Sequence, residues 1–330
     1  MKKKRYQWQI VGILLTAAVI LGGLYYYGIF ARQGERPAVY SVILYQNTND
    51  EWDTFIEGTE QAEEDLDINV NYVYLARDDT AEEQAAAVRR EIQAGSSGIL
   101  LAPVDTEEVK KIMGSLYFTV PVLCVETGAG DAFPVLRTDD RAMGRAMGEA
   151  ILEDMDTSGA QRRVVILTEY MERDSVRLRY EGLREALEKS NDSVIIEDRA
   201  RIHEDLGLGY FIKSVFYDDT PAYLAALDKY MTEQAAAAWT GYRQENENEE
   251  FSCRIYGIGN TARTVNELDN ENIAALMYQN EFNMGYQGIT YLTQKNREKW
   301  LKNNTDIGYR IVTKKSLYED ENERLLFSNT

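Results

Sequence analysis

Short, mainly apolar runs alternating with longer amphipathic stretches constrain this chain most. Val39 to Tyr45, Gly98 to Ala102 (GILLA), Val120 to Val125 (VPVLCV) and Arg163 to Leu167 (RVVIL) are too short for helices and end in polar turns. Runs of this length and composition read as strands buried on both faces. Thr80 to Ala94, Val104 to Tyr117, Arg141 to Met155 and Asp174 to Lys189 lie between or beside them as helices. Strands buried on both faces and joined by helices assemble into a parallel sheet covered on each side. The fold class is therefore α/β.

The pattern starts at Ala38, takes Asn69 to Leu75 as its second strand, and reaches a connecting strand at Phe133 to Thr138. A helix with a small-residue stripe, Gly144 and Gly148, follows, and the alternation restarts at Arg163. Ser193 to Glu197, Ala235 to Thr240 (AAAAWT), Arg254 to Ile258 and Ile273 to Tyr278 read as the later strands, with Tyr309 to Thr313 as a final extended piece. Helical material is expected over Leu206 to Met231, Thr261 to Leu268 and Glu281 to Trp300, and a polar acidic loop over Gln244 to Glu250. Two successive α/β blocks in 330 residues imply two lobes of ordinary size.

Before them, Trp8 to Phe30 is an uninterrupted uncharged run preceded by Lys2, Lys3, Lys4 and Arg5. As a helix it spans about 34 Å, enough to cross a bilayer, and the basic end would stay in the cytoplasm. No small-x-small cleavage site closes the run, so an uncleaved anchor is expected, with the body outside the cytoplasm.

The charge balance is 36 Lys+Arg against 55 Asp+Glu, a net −19. Nucleic-acid binding needs clustered cations, which the body of the chain does not offer. Cys124 and Cys253 fall in separate lobes and read as buried thiols. A single histidine, His203, argues against a histidine metal site or a Ser-His-Asp triad. Gly257-Ile-Gly259 lacks the third glycine of a dinucleotide turn, Ala262 standing in its place. No cofactor and no metal are expected.

Ala38 to Gly58 holds the first candidate site: a strand, a polar loop from Gln46 to Asn49, and a helix that Asp50 can cap. Such loops at the carboxyl ends of α/β strands are where ligands meet free backbone N–H groups. Trp52 would offer an apolar face there. Glu126 ends a buried strand, where a carboxylate must pair or meet a polar ligand. Of Arg177 and Arg179 near a helix start, one can be a surface residue and the other a planar fork for hydroxyls or a carboxylate.

Several motifs follow one another in order: Asn49…Trp52…Gly58, Ala102-Pro-Val-Asp105, Thr138-Asp-Asp140…Gly144…Gly148, Ser175-Val-Arg-Leu-Arg179, Tyr256-Gly-Ile-Gly-Asn-Thr261, and Gln279 with Gly285. With them the chain, over about Val39 to Val312, resembles the ribose/galactose-type periplasmic sugar-binding proteins. Those share their fold with the sensing domains of lactose-repressor-type regulators. The resemblance implies two Rossmann-like lobes with parallel sheets joined by a hinge. It places lobe one at 38–137 plus about 280–303, and lobe two at about 138–279 plus 304–330, after a basic end (1–7), the anchor (8–30) and a tether (31–37). It also implies a ligand between the lobes. Asn49 would bond a sugar hydroxyl, Trp52 stack on the ring, Glu126 accept hydroxyl protons, and Arg179 and Gln279 complete the pocket. Asp105 falls on a structural turn.

The chain departs from that pattern at several positions. Glu51 stands for a second stacking aromatic, Thr127 for an arginine and Gly259 for an aspartate, and the Asn-Asp expected after the Ala235 to Thr240 strand is missing. The second-lobe half of the pocket is the half that departs most, and the ligand expected is a small polar one, a sugar first of all. The function implied is an anchored solute-binding protein that presents a sugar or polyol to an ABC importer or a sensor histidine kinase. The alternatives are a hydrolase using Glu51 and Glu126 about 5–9 Å apart, or a sugar-responsive regulator without a DNA-binding domain.

Overall fold

The computed structural model describes residues 16–23, 37–45, 51–76, 79–158, 163–190, 194–200, 208–219, 222–246, 253–303, 307–320 and 322. The chain divides into a unit Met1–Ala38 and a unit Val39–Thr330. In the first, residues 16–23 are helical, with Val19, Ile20 and Leu21 exposed. Among the described residues no helix is long and apolar enough to cross a membrane. Most of the run from Trp8 to Phe30 lies outside them, as do Asn49, Asp50 and His203.

The second unit holds two sheets. β1 (Val39–Leu44), β2 (Asn69–Tyr74), β3 (Ile99–Leu101), β4 (Val122–Val125) and β5 (Val135–Leu136) form a parallel sheet in the order β2-β1-β3-β4-β5. β6 (Arg163–Thr168), β7 (Ile195–Ala200), β8 (Tyr223–Ala226), β9 (Arg254–Ile258), β10 (Ala275–Gln279) and β11 (Tyr309–Thr313) form the other, ordered β11-β10-β9-β8-β6-β7. Only its edge strand β11 runs antiparallel, on β10. Each lobe thus starts on an inner strand and winds outward in both directions. That arrangement leaves a crevice at the carboxyl ends of the strands.

The strands alternate between two cores, as strands buried on both faces must. Val42 and Leu44 of β1 join one cluster and Ile43 the other, and in β6 Val165 and Leu167 oppose Val164 and Ile166. The helices are α1 (Asp53–Leu66), α2 (Ala81–Gln93), α3 (Thr106–Met113), α4 (Asp140–Ser158), α5 (Asp174–Lys189), α6 (Leu208–Asp219), α7 (Lys229–Glu245), α8 (Ala262–Asp269), α9 (Glu281–Thr293) and α10 (Arg297–Asn303). Thr80 opens α2 in a reciprocal capping box with Glu83, and Asp105 caps α3. The cap position of α1 is Trp52, which makes no side-chain capping bond.

Two close helix pairs aim the cleft residues. Gly58 of α1 faces the Phe282 backbone of α9, and Gly285 of α9 faces the Phe55 backbone. Gly144 of α4 and Gly182 of α5 do the same against Arg179 and Arg141. A Cβ at any of them would overlap backbone atoms, so glycine sets the spacing of each pair.

The sequence-based reading joins α9 and α10 into one helix and places Gln244 and Glu245 in a loop although they end α7, and it goes furthest wrong in one stretch. Ala235 to Thr240 lies inside helix α7, not in a strand, and the strand is Tyr223–Ala226, within the stretch expected to be helical. Four consecutive alanines favour a helix more than any other residues. Asp228 fixes its start by accepting the Met231 N–H at 2.7 Å. Both cysteines are free and buried in separate sheets, Cys124 on β4 and Cys253 just before β9.

Candidate functional site

The carboxyl ends of strands from both sheets line one cleft with about 500 Å³ of space between its walls, part of it open to solvent. Tyr45 follows β1, and Glu51 and Trp52 lead into α1. Glu126 follows β4, Tyr170 lies two residues beyond β6, Asp228 two beyond β8, and Gln279 ends β10. Glu126 and Tyr170 both hold left-handed backbone, with φ of 62° and 57°. That conformation costs an ordinary L-residue about 1–2 kcal/mol. Two such residues facing one cleft, one from each lobe, mark a place where side-chain direction overrides backbone preference.

Arg179, on α5, is the electrostatic centre. Its Nε donates to Asp140 Oδ1 at 2.8 Å, Nη1 to the Leu227 carbonyl at 3.2 Å and Nη2 to Glu126 Oε1 at 3.0 Å. Glu126 Oε2 accepts from the Tyr45 hydroxyl at 2.8 Å and the Thr127 hydroxyl at 2.7 Å. Burial works against the Glu126 charge, but Arg179, Thr127 and Tyr45 outweigh it and hold the carboxyl below its usual range. Burial wins at Asp140, which is pushed up to about 7 although Arg179 pulls it down. Asp228 rises to about 6, again by burial, against the bond from Met231 N–H.

Glu51 is pushed up to about 8, chiefly by burial, with Lys229 and Arg173 opposing and Asp228 and Glu126 adding to the rise. Lys229 Nζ bonds Glu281 Oε2 and the Glu51 carbonyl, each at 2.6 Å. The Arg173 guanidinium lies 3.5 Å from the Tyr45 ring centre and 4.1 Å from that of Tyr170, touching a tyrosine of each lobe.

The sequence-predicted residues divide as follows. Glu51, Trp52, Glu126, Arg179 and Gln279 converge on the cleft. Thr127 is buried behind it, bonded to Glu126 and within 2.6 Å of the Ser175 hydroxyl. Asn49 lies outside the described residues. Trp52 is held edge-on by Tyr45 and Phe55, and its Nε1 donates to the Tyr45 carbonyl at 3.0 Å. Arg177 is the surface arginine, paired with Glu181. The paired-carboxylate alternative meets a Glu126 whose two oxygens are already committed to three donors.

Sequence reasoning missed Asp228, Arg173, Lys229 and Glu281. The Asn-Asp expected after the misplaced strand corresponds to Leu227-Asp228 after the true one. Its signal was present: an aspartate directly before a long alanine-rich helical stretch is a helix-start signature. Among the described residues no group of histidine, cysteine, aspartate and glutamate is arranged to hold a metal ion.

Two parallel-sheet lobes with a polar cleft at their strand ends define the class of bilobed α/β solute-binding folds. Residues 40–299 match the periplasmic binding protein domain family, and the chain belongs to it. No curated protein matches the sequence. Among solved structures, a carbohydrate transporter solute-binding protein from Agrobacterium radiobacter, in complex with D-arabinose, is similar at 18% identity and TM-score 0.73, over 89% of this chain and 100% of that one. GanP, a glucose-galactose binding protein from Geobacillus stearothermophilus, is similar at 17% identity and TM-score 0.68, over 86% and 100%. The XylFII-LytSN complex is similar at 18% identity and TM-score 0.70, over 85% and 99%. At these identities the likeness is one of fold.

Proposed function

We propose that this protein is an extracytoplasmic solute-binding protein that closes on a small polar ligand of the sugar or polyol class. The observation that carries the reading is the cleft itself. Its wall alternates ionised and amide side chains with Tyr45, Trp52, Tyr170 and Tyr230. Such a mixture suits a hydroxylated ring, which needs polar partners at its edge and apolar cover on its faces. Structures of the same fold include a glucose-galactose binding protein and a carbohydrate transporter solute-binding protein in complex with D-arabinose.

The uncharged run from Trp8 to Phe30 supports an uncleaved anchor that keeps the body beside the membrane, outside the cytoplasm. A tethered binding protein addresses a fixed membrane partner, either an ABC permease or a sensor histidine kinase. Among structures of the same fold, XylFII is solved in a complex with LytSN. Copurification of the full chain in detergent distinguishes the two by what it carries along.

Tryptophan fluorescence tests the ligand reading, because Trp52 sits on the cleft wall while Trp239 and Trp300 pack elsewhere. A saturable change on titration with a sugar, absent in Trp52→Phe, is the expected result. A panel of sugars and polyols that leaves the emission unchanged and is not retained on dialysis contradicts it.

A further inference from the structure

The cleft wall holds three buried oxygens without hydrogen-bond partners. Glu51 Oε2, Asp228 Oδ2 and Gln279 Oε1 are shielded from solvent and have no partner, and all three residues stand on the cleft wall. Two of the three cations nearby are already engaged. Lys229 is held by Glu281 and the Glu51 carbonyl, and Arg179 by Asp140, Glu126 and the Leu227 carbonyl. Arg173 stacks on two tyrosines, and its Nε reaches the Val104 carbonyl at 3.4 Å.

Charge points the same way. Among the described residues the wall carries four carboxylates against three cations, and Asp140 stands behind Arg179 as a further acid. Buried carboxylates in excess must take up protons or meet a cation.

We propose that the ligand carries a protonated amine, as an amino sugar does, and that its ammonium donates to Glu51 Oε2, Asp228 Oδ2 and Gln279 Oε1. This rests on the solute-binding reading and narrows its ligand. An ammonium offers three N–H donors and no acceptor, matching a wall with three open acceptors. A uronate or phosphate would add negative charge to a wall where carboxylates already outnumber cations.

A proton count separates the cases. Glu51 faces Lys229, Arg173, Asp228 and Glu126, and its carboxyl, raised to about 8, is mostly protonated at pH 7. Meeting an ammonium ionises it, so binding releases a proton, whereas a neutral sugar leaves it protonated.

The test is calorimetric titration of the full chain at pH 7 with D-glucosamine, D-galactosamine and D-mannosamine, their parent sugars and their uronates, in two buffers of different ionisation heat. The expected result is an amino sugar bound at least about tenfold tighter than its parent, with about one proton released. Glu51→Gln, with its thermal midpoint checked, is expected to abolish the release and most of the preference. A parent sugar bound as tightly as its amino form, or an amino sugar bound without proton release, overturns the amine while leaving a sugar receptor standing. Silence across the whole panel overturns both readings.

Discussion

Arg179 of α5 and Glu126 at the end of β4 meet across the two lobes, Nη2 donating to Oε1 at 3.0 Å with both side chains buried. The same guanidinium holds Asp140 at the start of α4. One cation therefore balances an acid from each lobe. Arg179→Met would leave both carboxylates buried without it, and a loss of about 3–5 kcal/mol in unfolding free energy is expected. Arg177→Ala, at the exposed pair with Glu181, should change stability by less than about 0.5 kcal/mol. Chemical denaturation of the two variants side by side is the check. Equal effects would show that the pair across the lobes is not the anchor described.

Stability should fall as pH rises through Glu51. Its folded value of about 8 lies above the ordinary 4.5, so between those values the folded chain keeps a proton that the unfolded chain has lost. The slope of unfolding free energy against pH is then negative, by at most about 1.4 kcal/mol per unit from this group. Asp140, from 3.8 to about 7, and Asp228, from 3.8 to about 6, act in the same direction. Glu126, held low, acts oppositely: its contribution is present above its unfolded value and is lost as pH falls through its folded one. Denaturation midpoints from pH 5 to pH 8 are expected to decline more gently in Glu51→Gln than in the parent. Parallel declines would remove Glu51 as a source.

Two glycine substitutions should have opposite signs. Gly58→Ala would drive a methyl into the Phe282 backbone and force α1 and α9 apart, at a cost of about 1–3 kcal/mol. Gly241 lies within α7, and a methyl added there would meet nothing within 4 Å, so Gly241→Ala should stabilise by about 0.5–1 kcal/mol. Thermal unfolding of both reads the signs directly.

The first lobe was legible because β1, β3 and β4 are short apolar runs bounded by distinct turns. Ile99–Leu101 and Val122–Val125 fall inside the runs read from sequence. Legibility failed at Tyr223–Ala226, whose alanines weaken the strand signal, and at Ala235 to Thr240, where an apolar helix segment imitates a strand by composition alone. That one misplacement hid Asp228 and made the second-lobe wall look incomplete. Glu126 could be picked out singly, since a charged residue ending a buried strand needs a partner, whereas Arg179 stood level with Arg177 until the family resemblance chose it. The bond between Glu126 and Arg179 could not be read, because 53 positions separate them in sequence.

The thiols should be inert in the native state. Burial pushes Cys124 up to about 12 and raises Cys253 as well, and the thiolate is the reactive form. An alkylating reagent at pH 8 is expected to leave both unmodified until denaturant is added. Rapid labelling of the folded chain would contradict their placement.

The most direct measurement is the thermal midpoint of the full chain, in mild detergent, against neutral sugars, polyols and amino sugars. A ligand at about a hundred times its dissociation constant adds roughly 2.7 kcal/mol, worth about 5 °C in a fold of this size. A selective rise that both Trp52→Ala and Gln279→Ala abolish is the result expected of a receptor whose ligand lies between the lobes. No rise with any compound, or a rise that both variants keep, would contradict it.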